Sequence, residues 1–278
     1  MLLCFVLFLL LSACNAPGPT ETASPPTLTA SPTETSQPTP TLSPTVTSVP
    51  ATPTPTEPAF EVCSPLEDET LESLRLIMQN DLVKPHAFGL DFGHPGRDFA
   101  YYQRGDRLSI QGVEVYAVLA GKTVLTLEDQ YPYGYTILIE TPLSDLPPAL
   151  QETLMEAYLP LPEDLVYQYN CPDVREPTLT GQYSLYHLYA HLEVRPDYQP
   201  GDPITCGETL GTVGNSGWSS NPHLHLEMRL GPSGADFRTM AHYDSTATIE
   251  QLSNYCLWRS SGYYQIVDPY LILVDDVW

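Results

Sequence analysis

Residues 16–58 hold 12 Pro, 13 Thr and 5 Ser among 43 positions. A segment of that composition cannot bury enough apolar surface to offset the entropy of ordering, so it is expected to be disordered or extended. It divides the 278-residue chain and leaves residues 59–278 to form the packed domain. Pro-rich chain rises about 3.1 Å per residue when extended, which gives the segment a reach of roughly 130 Å at most. Its Thr and Ser density also matches O-glycosylated stalks.

Ahead of it, residues 1–13 form an apolar run, MLLCFVLFLLLSA, that ends at Cys14. The run is too short for a bilayer core, which needs roughly 20 residues, and has the length of a secretory signal's apolar region. Leu11-Ser12-Ala13-Cys14 resembles a bacterial lipoprotein signal, although no positive charge precedes the run. The resemblance implies a signal peptide over 1–13, a lipid on Cys14 that binds the membrane, and a tether over 14–58. The domain at 59–278 would then sit outside the cytoplasm, held at a distance from the membrane.

With 34 acidic against 11 basic residues the formal charge is -23, and no Lys or Arg occurs before Arg75. Such a surface repels polyphosphate and anionic headgroups, which excludes nucleic acid and basic-patch membrane contacts as partners. The 42% of hydrophobic residues supports a folded domain. Its expected class is mainly β: an antiparallel sheet of short strands with Gly-rich turns and helical inserts. Alternation marks Val113 to Leu119, Tyr135 to Ile139 and Leu185 to His191 as strands. Ser64-Pro65 followed by Leu66, Leu71, Leu74, Ile77 and Met78 predicts an opening helix. Inserts are expected near 144–182, with a helix over 148–158, and near 236–261. Cys63, Cys171, Cys206 and Cys256 form no C-x-x-C pair. They predict two disulfides, with three connectivities open.

Seven histidines carry the chemistry. On a strand, His223 and His225 of His223-Leu224-His225 share a face. In His94-Pro95-Gly96-Arg97-Asp98 a separation of four keeps His94 and Asp98 on one face, whereas His86 and Asp91 are five apart and point oppositely. Catalytic zinc takes three protein ligands and leaves one position open; His94, Asp98 and either His223 or His225 supply that set. His191, in Tyr189-Ala190-His191-Leu192, reaches a cleft from a neighbouring strand, and His187 has the same parity. Glu227 shares a face with His225, from which a carboxylate can orient an imidazole; the simpler reading is a surface strand residue.

H-x-G-x-D, then Y-A-H-L, then G-x-S-G ahead of H-L-H, in this order, resembles the lysostaphin-type (LytM-domain) zinc endopeptidases. Gly112 to Ala117, Ala120 to Val124, Pro200-Gly201-Asp202, Leu210 to Gly217 and Asp268 to Leu271 agree with the connecting text of that family. The resemblance spans about 85–273, interrupted by the two inserts. It implies a LytM-type fold and one Zn2+ held by His94, Asp98 and His225, with His191 and His223 as catalytic histidines. The implied substrate is the peptide cross-link of bacterial peptidoglycan. An alternative within the same resemblance is a LytM-like binding module that regulates a separate cell-wall amidase. One departure concerns specificity: family members place a Tyr shortly before the first ligand, where this chain has Phe88 and Phe92.

Overall fold

The computed structural model describes residues 60–101, 109–167, 171–172 and 174–274. The signal and tether expected at 1–58 lie outside the described residues. In chain order the elements are α1 (Leu74–Ile77), β1 (Met78–Asn80), β2 (Gly96–Phe99), β3 (Glu114–Tyr116), β4 (Gly121–Leu127) and β5 (Tyr135–Pro142). Then come α2 (Pro148–Ala157), β6 (Tyr183–Leu192), β7 (Pro203–Ile204), β8 (Thr209–Thr212) and β9 (Leu224–Pro232). The chain continues with α3 (Ile249–Arg259), β10 (Gln265–Val267) and α4 (Tyr270–Leu273). An eight-stranded antiparallel sheet runs β1-β2-β9-β6-β5-β4-β7. Strand β10 pairs with the 228–230 part of β9, beyond the part that β2 occupies. A second, two-stranded sheet joins β3 to β8.

Alternation sorts the strand side chains to two faces. Ile137, Ile139, Leu185, Tyr189, Leu224, Leu226 and Met228 enter one core, together with Leu150 and Leu154 of α2. Leu138, Tyr186, Leu188 and Ala190 face the other way, into a cluster with Phe237, Tyr255, Trp258 and Tyr264. The insert at 236–261 therefore covers the second face. Rings of this cluster meet edge to face, Phe237 on Trp258 and Tyr186 on Tyr264, at 5.5 and 5.4 Å between centroids, a favoured geometry for aromatic pairs. Helix α3 starts at a capping box: Thr248 accepts from the Gln251 N–H while the Gln251 side chain accepts from the Thr248 N–H, which satisfies two otherwise unpaired donors.

Helix α2 falls where the sequence places it. The opening helix does not extend as expected. Only Leu74–Ile77 is helical; Leu66 makes an isolated bridge to Val115 and Asp68 turns the chain with φ 60°. The buried leucines at helical spacing are satisfied here by packing against β3 rather than by forming one helix face. Disulfides join Cys63 to Cys206 and Cys171 to Cys256, closing separations of 143 and 85 residues. Loops of that length restrict the unfolded chain, and each bridge contributes about 2–4 kcal/mol. The second bridge ties the insert at 144–182 to α3.

His187 is fully buried between Thr141, 3.0 Å from its Nε2, and the Tyr189 hydroxyl, 2.9 Å from its Nδ1. Burial pushes its pKa down to about 3, while an unfolded histidine titrates near 6.5. The folded state thus refuses a proton that the unfolded state accepts. Its stability contribution is complete above about pH 6.5 and declines as pH falls towards 3, by about 1.4 kcal/mol per unit. His187→Gln is expected to flatten the loss of urea stability between pH 6.5 and 4 relative to the parent. Parallel curves for the two proteins would contradict this.

Candidate metal centre

Strands β2 and β9 lie side by side with Asp98 opposite His225. The register sets the carboxylate beside the imidazole, with Asp98 Oδ1 2.8 Å from His225 Nδ1. His94 precedes β2, pinned by a two-way backbone pairing with Val83, and its Nε2 comes within 3.0 Å of Asp98 Oδ1 and 3.1 Å of His225 Nδ1. Gly96 is required between His94 and Asp98 for a reason the sequence does not reveal. A Cβ there would meet the His225 ring at 2.9 Å and the Leu226 carbonyl at 2.4 Å, so only glycine lets β2 pass so close to β9.

Each imidazole has its outer nitrogen committed. His94 Nδ1 donates to the Asp81 carbonyl at 3.0 Å, and His225 Nε2 points at Glu227 Oε2 at 3.4 Å. That arrangement leaves His94 Nε2 and His225 Nδ1 as lone pairs converging with a carboxylate oxygen, a donor set of two nitrogens and one oxygen. Burial opposes charge on His225, yet the hydrogen bonds to Asp98 and Glu227 outweigh it and raise its pKa to about 9. Burial also opposes charge on Asp98, but hydrogen bonds from His225 and His94 hold it well below the usual carboxylate range. The pocket favours a positive charge at its centre. His94, Asp98 and His225 thus fit the donor chemistry of zinc.

Glu227 corrects the sequence reading. It is 0% exposed, not a surface residue. One face of β9 presents His225, Glu227 and Arg229 in succession, and His223 directly precedes the strand. Arg229 Nε donates to Glu227 Oε1, and Tyr133 donates to Oε2 at 2.7 Å. Arg259 Nη1 lies 3.9 Å from Glu227 Oε2. Burial would raise the Glu227 carboxyl, but these two guanidinium groups and the hydrogen bond to His225 drive it well below the ordinary range. A carboxylate that stays charged is what orients a ligating histidine from behind. The signal was present in the sequence as alternate polar residues on a strand; Tyr133 and Arg259 had none.

His191 and His223 join the centre, and His187 does not, despite sharing a parity with His191. The reason is a backbone break. His191 adopts φ 61°, and the β5–β6 register shifts between Tyr135 and Ile137, so the side chain leaves the face that holds His187 and Tyr189. Its ring lies 4.6 Å from that of His223 and 5.9 Å from that of His225. His191 Nδ1 donates to the Ser216 carbonyl at 2.8 Å, and His223 Nδ1 donates to the Asn221 carbonyl at 2.8 Å. His223 Nε2 is 3.5 Å from Asp98 Oδ1. Burial, with the neighbouring imidazoles, lowers His191 to about 3, and burial likewise lowers His223. Both rings are neutral near pH 7 and turn Nε2 away from their backbone anchors.

The rival pair separates. His86 is exposed, while Asp91 is buried and accepts from Tyr243 and Tyr255, each at 2.6 Å, and from Arg259. Asp91 therefore bolts the insert at 236–261 to the segment leading into His94. The other insert joins this one through the Cys171–Cys256 bridge and the hydrogen bond from Arg175 to the Asp236 carbonyl, and it reaches β10 where Tyr158 bonds the Tyr263 carbonyl and Leu159 pairs with Gln265.

A family model, peptidase family M23, matches residues 178–237, the stretch holding His191, His223, His225 and Glu227. The matched stretch also contains the Y-A-H-L, G-x-S-G and H-L-H motifs. No curated protein matches it. Among solved structures it is similar to a mutant catalytic domain of the prophage-encoded M23 protein EnpA from Enterococcus faecalis. There the identity is 20%, over 57% of this chain and 82% of that one, with a TM-score of 0.32. The catalytic domain of the antimicrobial peptidase lysostaphin from Staphylococcus simulans shares 19% identity over 61% and 91%, with a TM-score of 0.33. A zinc-containing peptidase from Vibrio cholerae shares 19% over 63% of this chain and 35% of its own length, with a TM-score of 0.28.

Proposed function

We propose that this protein is a zinc metalloendopeptidase that hydrolyses peptide cross-links of bacterial peptidoglycan outside the cytoplasm. The observation that carries the reading is the convergence of His94, Asp98 and His225 on one point beside two neutral imidazoles. His94 Nε2, Asp98 Oδ1 and His225 Nδ1 are the atoms that would hold the ion. Zinc bound there would supply Lewis acidity, polarising the scissile carbonyl and acidifying water towards about pH 7. His191 and His223 are the catalytic histidines of this reading. The backbone carbonyls of Ser216 and Asn221 hold their Nδ1 protons, so Nε2 of each is free to accept a proton from water. The imidazolium so formed stabilises negative charge on the former carbonyl oxygen or protonates the departing amine. A lipid on Cys14 and the tether over 14–58 belong to the same proposal. They place the domain where the substrate lies.

The test is digestion of purified cross-linked muropeptides by the zinc-loaded protein, followed by mass spectrometry. Water should be added across the bridge, releasing a new amine and a new carboxylate. If zinc is bound and the cross-linked species persist, the amidase-regulating module takes the place of the enzyme reading.

A further inference from the structure

One aromatic side chain of the loop that carries Ser216 and one of the insert at 236–261 meet at the surface. Trp218 is 64% exposed and Tyr243 44% exposed. Their rings meet edge to face at 5.4 Å, although Trp218 belongs to the loop before β9 and Tyr243 to the insert at 236–261. Solvent-exposed aromatic rings fixed against each other are a binding surface rather than a core.

Their location ties them to the site. Trp218 lies two residues after Ser216, whose carbonyl holds His191, and one before Ser219, whose hydroxyl is 3.2 Å from His223 Nδ1. Adjacent Cα atoms are about 3.8 Å apart, so the Trp218 backbone stands within roughly 8 Å of both anchoring residues. The loop is firmly held. Trp218 N–H donates to the Pro132 carbonyl at 2.8 Å, and Gly217 N–H donates to Asp129 at 2.6 Å. Gly217 is pressed on Gly134 so closely that a Cβ would meet its nitrogen at 2.3 Å. Tyr243 is equally fixed: its hydroxyl donates to buried Asp91, and the preceding His242 stacks on Tyr255 at 4.8 Å. Its φ of 61° is rare for an aromatic residue and is kept by these contacts.

The surroundings define the ligand chemistry. Residues 129–135, 215–221 and 239–248 contain no Lys or Arg, which disfavours an anion. Asp129, whose carboxylate holds Gly217, and Asn215 and Ser220 of the Trp218 loop are exposed and retain hydrogen-bonding capacity. Exposed aromatic faces on segments that carry carboxylate, amide and hydroxyl groups suit a neutral polyol ring, with C–H bonds on its faces and hydroxyls at its rim.

We infer that Trp218 and Tyr243 form a saccharide-stacking subsite, which takes a sugar ring of the glycan strand that bears the peptide to be cut. This rests on the proposed peptidoglycan reading for the origin of the sugar, and deepens it: the enzyme would select peptides still attached to glycan.

The experiment measures binding, so that it does not depend on cleavage. Peptide-free glycan oligosaccharides and a sugar-free cross-linked peptide are titrated into the full chain, the Trp218→Ala variant and the Trp218→Phe variant. The parent should bind the oligosaccharide, Trp218→Ala should weaken that binding about tenfold, and Trp218→Phe should restore most of it. The exposed position makes unfolding of Trp218→Ala unexpected, and a thermal melt checks this. Three results would overturn the subsite: no oligosaccharide binding by the parent, equal binding by Trp218→Ala, or a loss confined to the sugar-free peptide. If the oligosaccharide binds as expected and no cross-link is cut, the endopeptidase reading fails while the subsite stands.

Discussion

The His225→Ala protein is expected to lose its zinc and its peptide turnover together, while His223→Ala keeps the zinc and loses turnover alone. The two positions are only two residues apart at the start of β9, yet their nitrogen atoms are committed differently. His225 directs Nδ1 to the point shared with Asp98 Oδ1 and His94 Nε2. His223 has Nδ1 engaged by the Asn221 carbonyl and offers Nε2 3.5 Å from Asp98. Removing His225 leaves two donors for an ion that requires three. Removing His223 leaves three donors and takes away a proton acceptor, which lowers turnover by about 10²–10⁴-fold. Metal analysis after gel filtration, paired with muropeptide turnover, reads both quantities. Zinc retained by His225→Ala and lost by His223→Ala would reverse the two assignments.

The second large effect is expected at Glu227. Its carboxylate lies between Arg229 and Arg259 and backs His225, all in the protein interior. A buried ion pair adds little net stability, but removing one partner strands the other's charge and costs about 3–5 kcal/mol. For a domain of this size each kcal/mol corresponds to about 2–4 °C of melting temperature. Glu227→Ala should therefore melt on the order of 10 °C below the parent. Glu227→Gln preserves the shape but not the charge, so the hydrogen bond to His225 weakens. Its zinc affinity should fall about 10–100-fold. Unaltered melting in the first variant together with unaltered zinc affinity in the second would remove Glu227 from the account.

Local spacing made the main chemistry legible. His94 and Asp98, and His223 and His225, lie within four residues of each other, and strand parity alone decides which of them share a face. The same parity rule misjudged two positions. It treated His187 and His191 alike because it assumes an unbroken strand, whereas the positive φ at His191 changes the face of everything after it. It placed Glu227 beside His225 correctly but could not know that the face was covered. That covering comes from Phe237, Tyr255 and Trp258 of an insert, whose packing partners are remote in the chain.

From the sequence alone came the β class, the order of the motifs and the pairing of His94 with Asp98 and of His223 with His225, because each rests on composition or on neighbours a few residues apart. Tertiary structure alone decided the cysteine pairing, the burial of Glu227 among Tyr133, Arg229 and Arg259, the Asp91 anchor and the Trp218–Tyr243 pair. Most of these join residues scores of positions apart, and the short-range exception, Glu227 with Arg229, depends on a cover supplied from elsewhere. Burial and charge environment belong to the assembled sheet and its insert, and no local pattern encodes what will pack over a strand face.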